Sequence, residues 1–325
     1  MNDLIQFSRF LVYKEPYCVW EWDLKKRNLE FLEGIDPTYF EYIANRNHDD
    51  LEGENKQKVA LVIRLTYSQA LETLFAFLCA TIQAPDCIIG WLQRYRPKQV
   101  SDMVKAITNN NFKIKSKLKI DNVSWENVSI IINQFKLEDK DRELKIKTSF
   151  GNLWKKFAFD FLDKKYKTEY NHLKHGLRVN LGGFTTSIGR QQSNHGESAP
   201  CDKMTSLGGS FFGSKLFIPE VIGNDRGKKN TMHFRVRRNL INWNPISLVY
   251  GLELISTSIE NIISFLKIMN GVDSKTVQFS WPKDEVMFNY PWENNPSVSS
   301  VGIDREIDEF DIKRFSKEEI KKLYF

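Results

Sequence analysis

Three long apolar runs limit what this chain can fold into. Residues 57–84, QKVALVIRLTYSQALETLFAFLCATIQA, place Leu61, Leu65, Leu71, Leu74, Leu78 and Ile82 at three- and four-residue steps among almost no charge. That spacing predicts a helix buried on most sides and ended by Pro85 and Asp86. Residues 149–178 carry Leu153, Phe157, Phe161, Leu162, Tyr166, Leu173 and Leu177 at helical spacing. Residues 245–270 form a third such run, with Gly271 as a C-cap. Apolar helices of this kind must bury one another. The expected fold is mainly α, a helical bundle with a small inserted β-hairpin region.

The inserted part changes character. Residues 176–227 hold ten of the chain's 17 glycines. SLGGSFFGSKLFIPEVI and KNTMHFRVRRNLINW read as two strands joined across GNDRGK. Before the first long run, YCVWEWDL suggests a strand, and DPTYFEYIANRN suggests a short helix with Asp36 as N-cap. After the third run, FSWPKDEVMFNYPWENNPSVSS reads as extended, and SKEEIKKLYF as a short helix capped by Ser316. The organisation expected is a mixed N-terminal segment over 1–56 and a bundle domain over 57–272 with a β insertion at about 179–242. An extended segment over 273–325 ends in a short helix.

Composition narrows the class. The chain has 325 residues, 23 of them Phe, and 13% are aromatic, which excludes disorder over most of its length. Net charge is +6, which permits an acidic partner without requiring one. The run around LETLFAFLCATIQA contains Glu72, Thr73, Thr81 and Gln83 and reads as too short and too polar to span a bilayer. The N-terminus MNDLIQFSRFLVYKEPY lacks a basic region followed by an apolar core. Cys18, Cys79, Cys87 and Cys201 form no CxxC pair, and Cys79 in the most apolar stretch reads as a buried thiol. A cytoplasmic protein with no membrane association and no cofactor is the expectation.

Positive charge concentrates over 91–150, with 13 Lys and Arg against 7 Asp and Glu. FKIKSKLKI alternates Lys113, Lys115, Lys117 and Lys119 on one side. A solvated basic edge is the ordinary reading; a phosphate-tracking stripe is the functional one.

The sharpest candidate site is TEYNHLKHGLRV, residues 168–179. On a helix, Asn171, Lys174, His175 and Arg178 share one face, with Tyr170 and Leu173 turned inward. Cations there complement the unsatisfied carbonyls of a helix end, which is explanation enough without function. His172 and His175 are spaced like a metal pair, but spacing suggests no third ligand, and His195 and Cys201 could join them only by accident of folding. Upstream, Arg64, Ser68 and Glu72 lie on one face of an otherwise apolar helix. A buried arginine needs a carboxylate. Glu72, tied to Arg64 within the helix, or another carboxylate must answer it, or Arg64 reaches a cleft beside His175. A last candidate is TMHFRVRRNL, whose strand alternation puts His233, Arg235 and Arg237 on one face and Phe234, Val236 and Arg238 on the other. That face is either a solvated ribbon edge or a grip on phosphates or an acidic partner.

YNHLKHG resembles the motif of the HEPN superfamily, many of whose members are metal-independent ribonucleases. The family motif is an arginine, a polar residue and, a few residues later, a histidine, late on a bundle helix. Asn171 matches the polar position and His175 the histidine, whereas Tyr170 stands where the arginine would be. The resemblance implies RNA binding or RNA cleavage in microbial stress or defence. His175 would be general base or acid, Arg64 or Arg178 would stabilise the phosphorane, and Asn171 would orient them. It implies no metal. In an RNA-binding protein Lys174, and the ribbon residues His233, Arg235 and Arg237 put forward by their own strand pattern, would be the RNA contacts. With Tyr170 in the arginine position, a catalytically inactive bundle is the alternative, acting as a homodimerising or partner-binding scaffold.

Overall fold

The computed structural model describes residues 5–176, 178–189, 204–221, 233–293, 301–303 and 313–325. The expected turn GNDRGK, Leu177, His195 and Cys201 lie outside them. The chain divides into two units, residues 1–170 with 245–295, and residues 171–244 with 296–325.

In the first unit, an antiparallel hairpin, β1 (Gln6–Val12) and β2 (Glu15–Glu21), precedes the helices. Helices α1 (Leu24–Glu33) and α2 (Tyr39–His48) lead to α3 (Lys56–Gln83), the first apolar run. The short α4 (Ile88–Leu92), α5 (Pro97–Thr108) and α6 (Trp125–Ile132) follow. The lysine-rich segment 112–120 between α5 and α6 is irregular, not a strand. Helix α7 (Lys140–Leu162), helix α8 (Lys164–Lys174) and helix α9 (Pro245–Met269) complete the main framework, and a short α10 (Tyr290–Glu293) closes the unit. The third run is a single helix, as its periodicity predicts, and Gly271 takes φ +103 beyond its end. The tail is less extended than expected, because Asp284 caps a 3-10 turn over Glu285–Phe288 directly before α10.

The second run is two helices. Asp163 ends α7 with ψ 120, and its Oδ1 accepts from the backbone N–H of Lys165 and Tyr166, which starts α8. A capping aspartate inside an unbroken apolar pattern is what periodicity alone overlooks.

Helices α3, α7 and α9 interlock through close approach and a few satisfied polar pegs. A Cβ at Gly251 of α9 would lie 2.8 Å from Tyr67 Cε2 of α3. Trp154 Nε1 donates to Ser258 Oγ at 3.0 Å, linking α7 to α9. Both α3 and α9 are long and apolar enough to cross a membrane by composition, contrary to the sequence expectation for α3. Yet 72% and 67% of their apolar windows are buried inside the fold. Packing against each other accounts for that apolarity.

The second unit holds the remaining strands. β3 (Val179–Leu181), β6 (Gly213–Val221), β7 (Phe234–Asn242) and β8 (Val301–Ile303) form a four-stranded antiparallel sheet in the order β3-β6-β7-β8. β4 (Thr185–Ile188) and β5 (Thr205–Gly209) pair separately. The β6–β7 pairing is the hairpin expected from the sequence. Pro219, which has no N–H to give, sits where β6 has outrun β3, whose pairing covers only Leu216 to Ser214. Asn242 pins the sheet's end, with its side-chain amide exchanging two hydrogen bonds with the Phe184 backbone at 2.9 and 2.8 Å. A final helix, α11 (Lys317–Lys321), starts from a Ser316–Glu319 capping box.

The fold class therefore differs from the expectation of a mainly α bundle with one small hairpin. The protein is mixed α/β: the described residues are 54% helical and 17% strand and contain three antiparallel sheets. The additional strands are short or carry glycines, serines and threonines, so they lack the apolar alternation that marks a strand in sequence.

Candidate functional site

The arginine of the first long helix is sealed in the first unit beside a carboxylate. Arg64 is 4% exposed and Glu169 of α8 is 0% exposed. Arg64 Nε donates to Glu169 Oε2 at 2.9 Å. Nη2 lies 2.8 Å from the same oxygen but off the hydrogen-bonding direction. The guanidinium also rests 4.4 Å from the centre of the Tyr166 ring. Burial opposes its charge, and Glu169 more than restores it. Beside it, Tyr67 donates to Asp160 Oδ2 at 2.7 Å, and burial raises the carboxyl of Asp160 above its ordinary value. The predicted Arg64–Glu72 tie does not form. Glu72 instead accepts from the hydroxyl of Tyr170 at 3.1 Å. No sequence spacing within α3 could have shown this, since the carboxylate that answers Arg64 comes from α8.

The face proposed at the end of α8 is only partly kept. Asn171 and Lys174 are exposed, as is His175, which lies one residue past the helix. Gly176 takes φ +112, and the N–H of Arg178 returns to the His172 carbonyl at 3.0 Å. The glycine reverses the chain, so Arg178 leaves the shared helical face and leads into β3. The two HEPN-like positions are thus split, Asn171 within the helix and His175 in the turn after it.

The reversal builds a groove in the second unit. It has a volume of about 780 Å³ and is lined by His172, Arg178, Val179, Asn180 and the strand residues Lys215, Phe217, Pro219, Val221, Phe234 and Val236. Period-two alternation explains the lining. Lys215, Phe217, Pro219 and Val221 point to one face of β6, and register sets Val221 opposite Phe234 and Pro219 opposite Val236. Phe217 is 47% exposed and Phe234 52%. Arg238, paired with Phe217 in register, shares this face by the same alternation. Among the described residues no carboxylate lines the groove. His172 Nδ1 is enclosed and has no hydrogen-bond partner among the described residues.

The opposite face of the same hairpin carries the arginines that the sequence put forward. Glu220 accepts from Arg235 Nε at 2.7 Å, pairs with its Nη2 at 2.6 Å and lies 3.8 Å from Arg237 Nη1. Arg237 also packs over Gly302 of β8. His233 Nε2 accepts the backbone N–H of Phe315 at 2.9 Å. These three side chains are engaged within the unit.

Of the sequence candidates, then, Arg178 alone lines the groove. His175, Asn171 and Lys174 lie exposed outside its lining, and Arg64 is buried in the first unit. Lys215, Phe217, Phe234 and His172 are the lining residues that the site prediction passed over. Their signal was present in SKLFIPEV, where a cation, an aromatic ring and two apolar residues recur at every second position. Among the described residues no group of three or more His, Cys, Asp or Glu is placed to hold a metal ion. No protein-family model matches this chain, and comparison with curated proteins and with solved structures returns no significant match to either.

Proposed function

We propose that the groove face of the β3-β6-β7-β8 sheet binds single-stranded RNA. The observation that carries this reading is the pairing of exposed rings with cations on a face that, among the described residues, has no carboxylate in its groove. Phe217 and Phe234 offer surfaces on which bases stack, and Arg178, Lys215 and Arg238 offer charge to the phosphates. Base stacking on aromatic side chains with cations along the backbone is how single strands are held without sequence preference. An aqueous face with half-exposed phenylalanines has no structural need for them, since an antiparallel sheet ordinarily turns polar residues to water. The free thiols Cys18, Cys79 and Cys87 support a reducing, cytoplasmic setting.

RNA cleavage is a second reading, favoured by one observation. His172, with its unpartnered Nδ1, lines the groove together with Arg178. Imidazole is the side chain most often used as a general acid or base. In this reading His172 takes the proton-transfer role that the HEPN resemblance gives to His175.

One experiment addresses both. Labelled oligo(U) is titrated with the protein, with Phe217→Ala, with Phe234→Ala and with Arg178→Glu. Each lost stack should weaken binding by about 1–3 kcal/mol, and the charge reversal should also flatten the salt dependence. Unchanged affinity in all three variants removes this face from the argument. The same samples are run on a denaturing gel. Cleavage that persists equally in His172→Ala and in His175→Ala, or that never occurs, sinks the nuclease reading and leaves binding standing.

A further inference from the structure

The first unit carries a second face of the same chemistry, on a different element. In the β1–β2 hairpin, register places Phe7 opposite Trp20, Arg9 opposite Cys18, and Leu11 opposite Pro16. By alternation these three rungs lie on one side, and Phe10 and Val12 turn into the core. The outer rung is unusually bare, with Phe7 66% and Trp20 61% exposed. Beside the inner rungs lies a groove of about 590 Å³, lined by Arg9, Leu11, Pro16 and Cys18 of this side and, at the strand edge, by the inward-turned Phe10 and Tyr17. Its floor is fixed by Gln83, whose amide exchanges hydrogen bonds with the backbone of Tyr13 at 2.7 and 2.9 Å. Lys115 and Lys117 of the irregular 112–120 segment stand on its wall. Lys117 turns to the inward Ser8 side of the strand, donating to Ser8 Oγ at 3.4 Å and pairing with Asp86 at 2.6 Å, so Lys115 is the lysine left to the outer face. Among the described residues neither Arg9 nor Lys115 has a carboxylate within ion-pair distance, and none lines this groove.

We infer that the outer face of the β1–β2 hairpin is a second single-strand contact, with bases on Phe7 and Trp20 and phosphates on Arg9 and Lys115. Charge decides the class of occupant. A protein strand or a second copy of this chain would cover the rings but would leave Arg9 and Lys115 facing apolar or neutral surface, which is costly. A polyanion with flat apolar bases satisfies the rings and the cations together. The occupant is also longer than the groove, because the aromatic rung lies beyond it, roughly 7 Å along the strands from the Arg9 rung. Part of the lysine stripe in FKIKSKLKI then serves phosphate contact, although the segment is irregular and not the strand its alternation suggested.

This inference shares its chemistry with the proposed function but not its residues, so the two fail separately. The full chain is photocrosslinked to 4-thiouridine oligo(U), and the adducts are mapped by mass spectrometry. The expected result is adducts within residues 5–22 as well as within 213–238. Arg9→Glu/Lys115→Glu should abolish the first set, retain the second and weaken binding on the order of tenfold, with a shallower salt slope. Its unfolding midpoint is measured alongside, and both positions are exposed. Adducts in 213–238 alone, with affinity changed less than twofold by the charge reversals, overturn the inference and leave the first reading intact. Adducts in 5–22 alone overturn the first reading and uphold this one, and adducts in neither overturn both. A membrane is tested with phosphatidylserine vesicles. If Phe7→Ala/Trp20→Ala loses vesicle binding while RNA binding is unchanged, the face is a lipid contact and the inference fails.

Discussion

The two units place their charges in opposite ways. In the first, Arg64 and Glu169 are sealed at 4% and 0% exposure, with Tyr67, Asp160 and Tyr166 gathered around them. In the second, Arg178 and Lys215 stand at an open groove beside half-exposed rings, with no carboxylate in the lining among the described residues. In sequence both look alike, as cations set among apolar residues. Burial separates them. A cation withdrawn from water must be answered by a carboxylate and then has nothing left to offer a ligand. A cation left in water needs no internal partner, and it remains available to an anion from outside. Arg64 is therefore a fixture that ties α8 to α3, and the chemistry a ligand can meet in the second unit lies on its sheet.

The largest expected effect comes from breaking the sealed pair. Glu169→Gln leaves the Arg64 charge buried without its carboxylate and should cost about 3–5 kcal/mol, read as a shift in the denaturant midpoint at constant m-value. Arg64→Met/Glu169→Leu removes both charges and should recover most of that loss, because the desolvation penalty disappears with them. RNA affinity of the folded double variant should be unchanged. A stable Glu169→Gln, or a double variant no better than the single, would mean the pair is not sealed and the contrast between the units is false. A smaller test probes how tightly that interior is closed. Gly251→Ala brings a Cβ to 2.8 Å from a Tyr67 ring held by Asp160. Overpacking there should cost about 1–3 kcal/mol, whereas a loss under a few tenths would show an interior able to give way.

Much of this was legible in the chain. The long helices of the first unit follow from apolar spacing, and the β6–β7 pairing from alternating runs, whereas α1, α6 and α10 do not. What periodicity could not supply was the action of single residues. Asp163 splits one apolar run into two helices by capping both, and Gly176 turns Arg178 off the helical face onto which counting had placed it. The partner of Arg64 was unreadable for a different reason. A buried arginine announces that it needs a carboxylate but not which one, and only tertiary packing chooses Glu169 of α8 over Glu72 on the same helix face. In the second unit the arginines drew attention because they are conspicuous in FRVRRNL. The acid that engages two of them, Glu220, lies on the neighbouring strand, and register is what brings it to Arg235. The lining of the groove was visible as a period-two pattern but carried less charge, and so less notice.

The smallest effect sharpens the comparison within the sheet itself. Glu220→Gln releases Arg235 and Arg237 on the face away from the groove. Glu220 is 42% exposed, so losing its pairs should cost only about 0.2–1 kcal/mol of stability. If RNA lies on the groove face, two freed arginines on the other side of the strands add only long-range attraction, which salt screens beyond about 8 Å at physiological ionic strength. Affinity at that ionic strength should therefore rise less than about twofold, with the salt slope nearly unchanged. A gain near tenfold with a steeper slope would place the phosphates on the Arg235 face instead. Phe217 and Phe234 would then need another explanation, and Glu220 would become a gate on binding in place of a strut within the sheet.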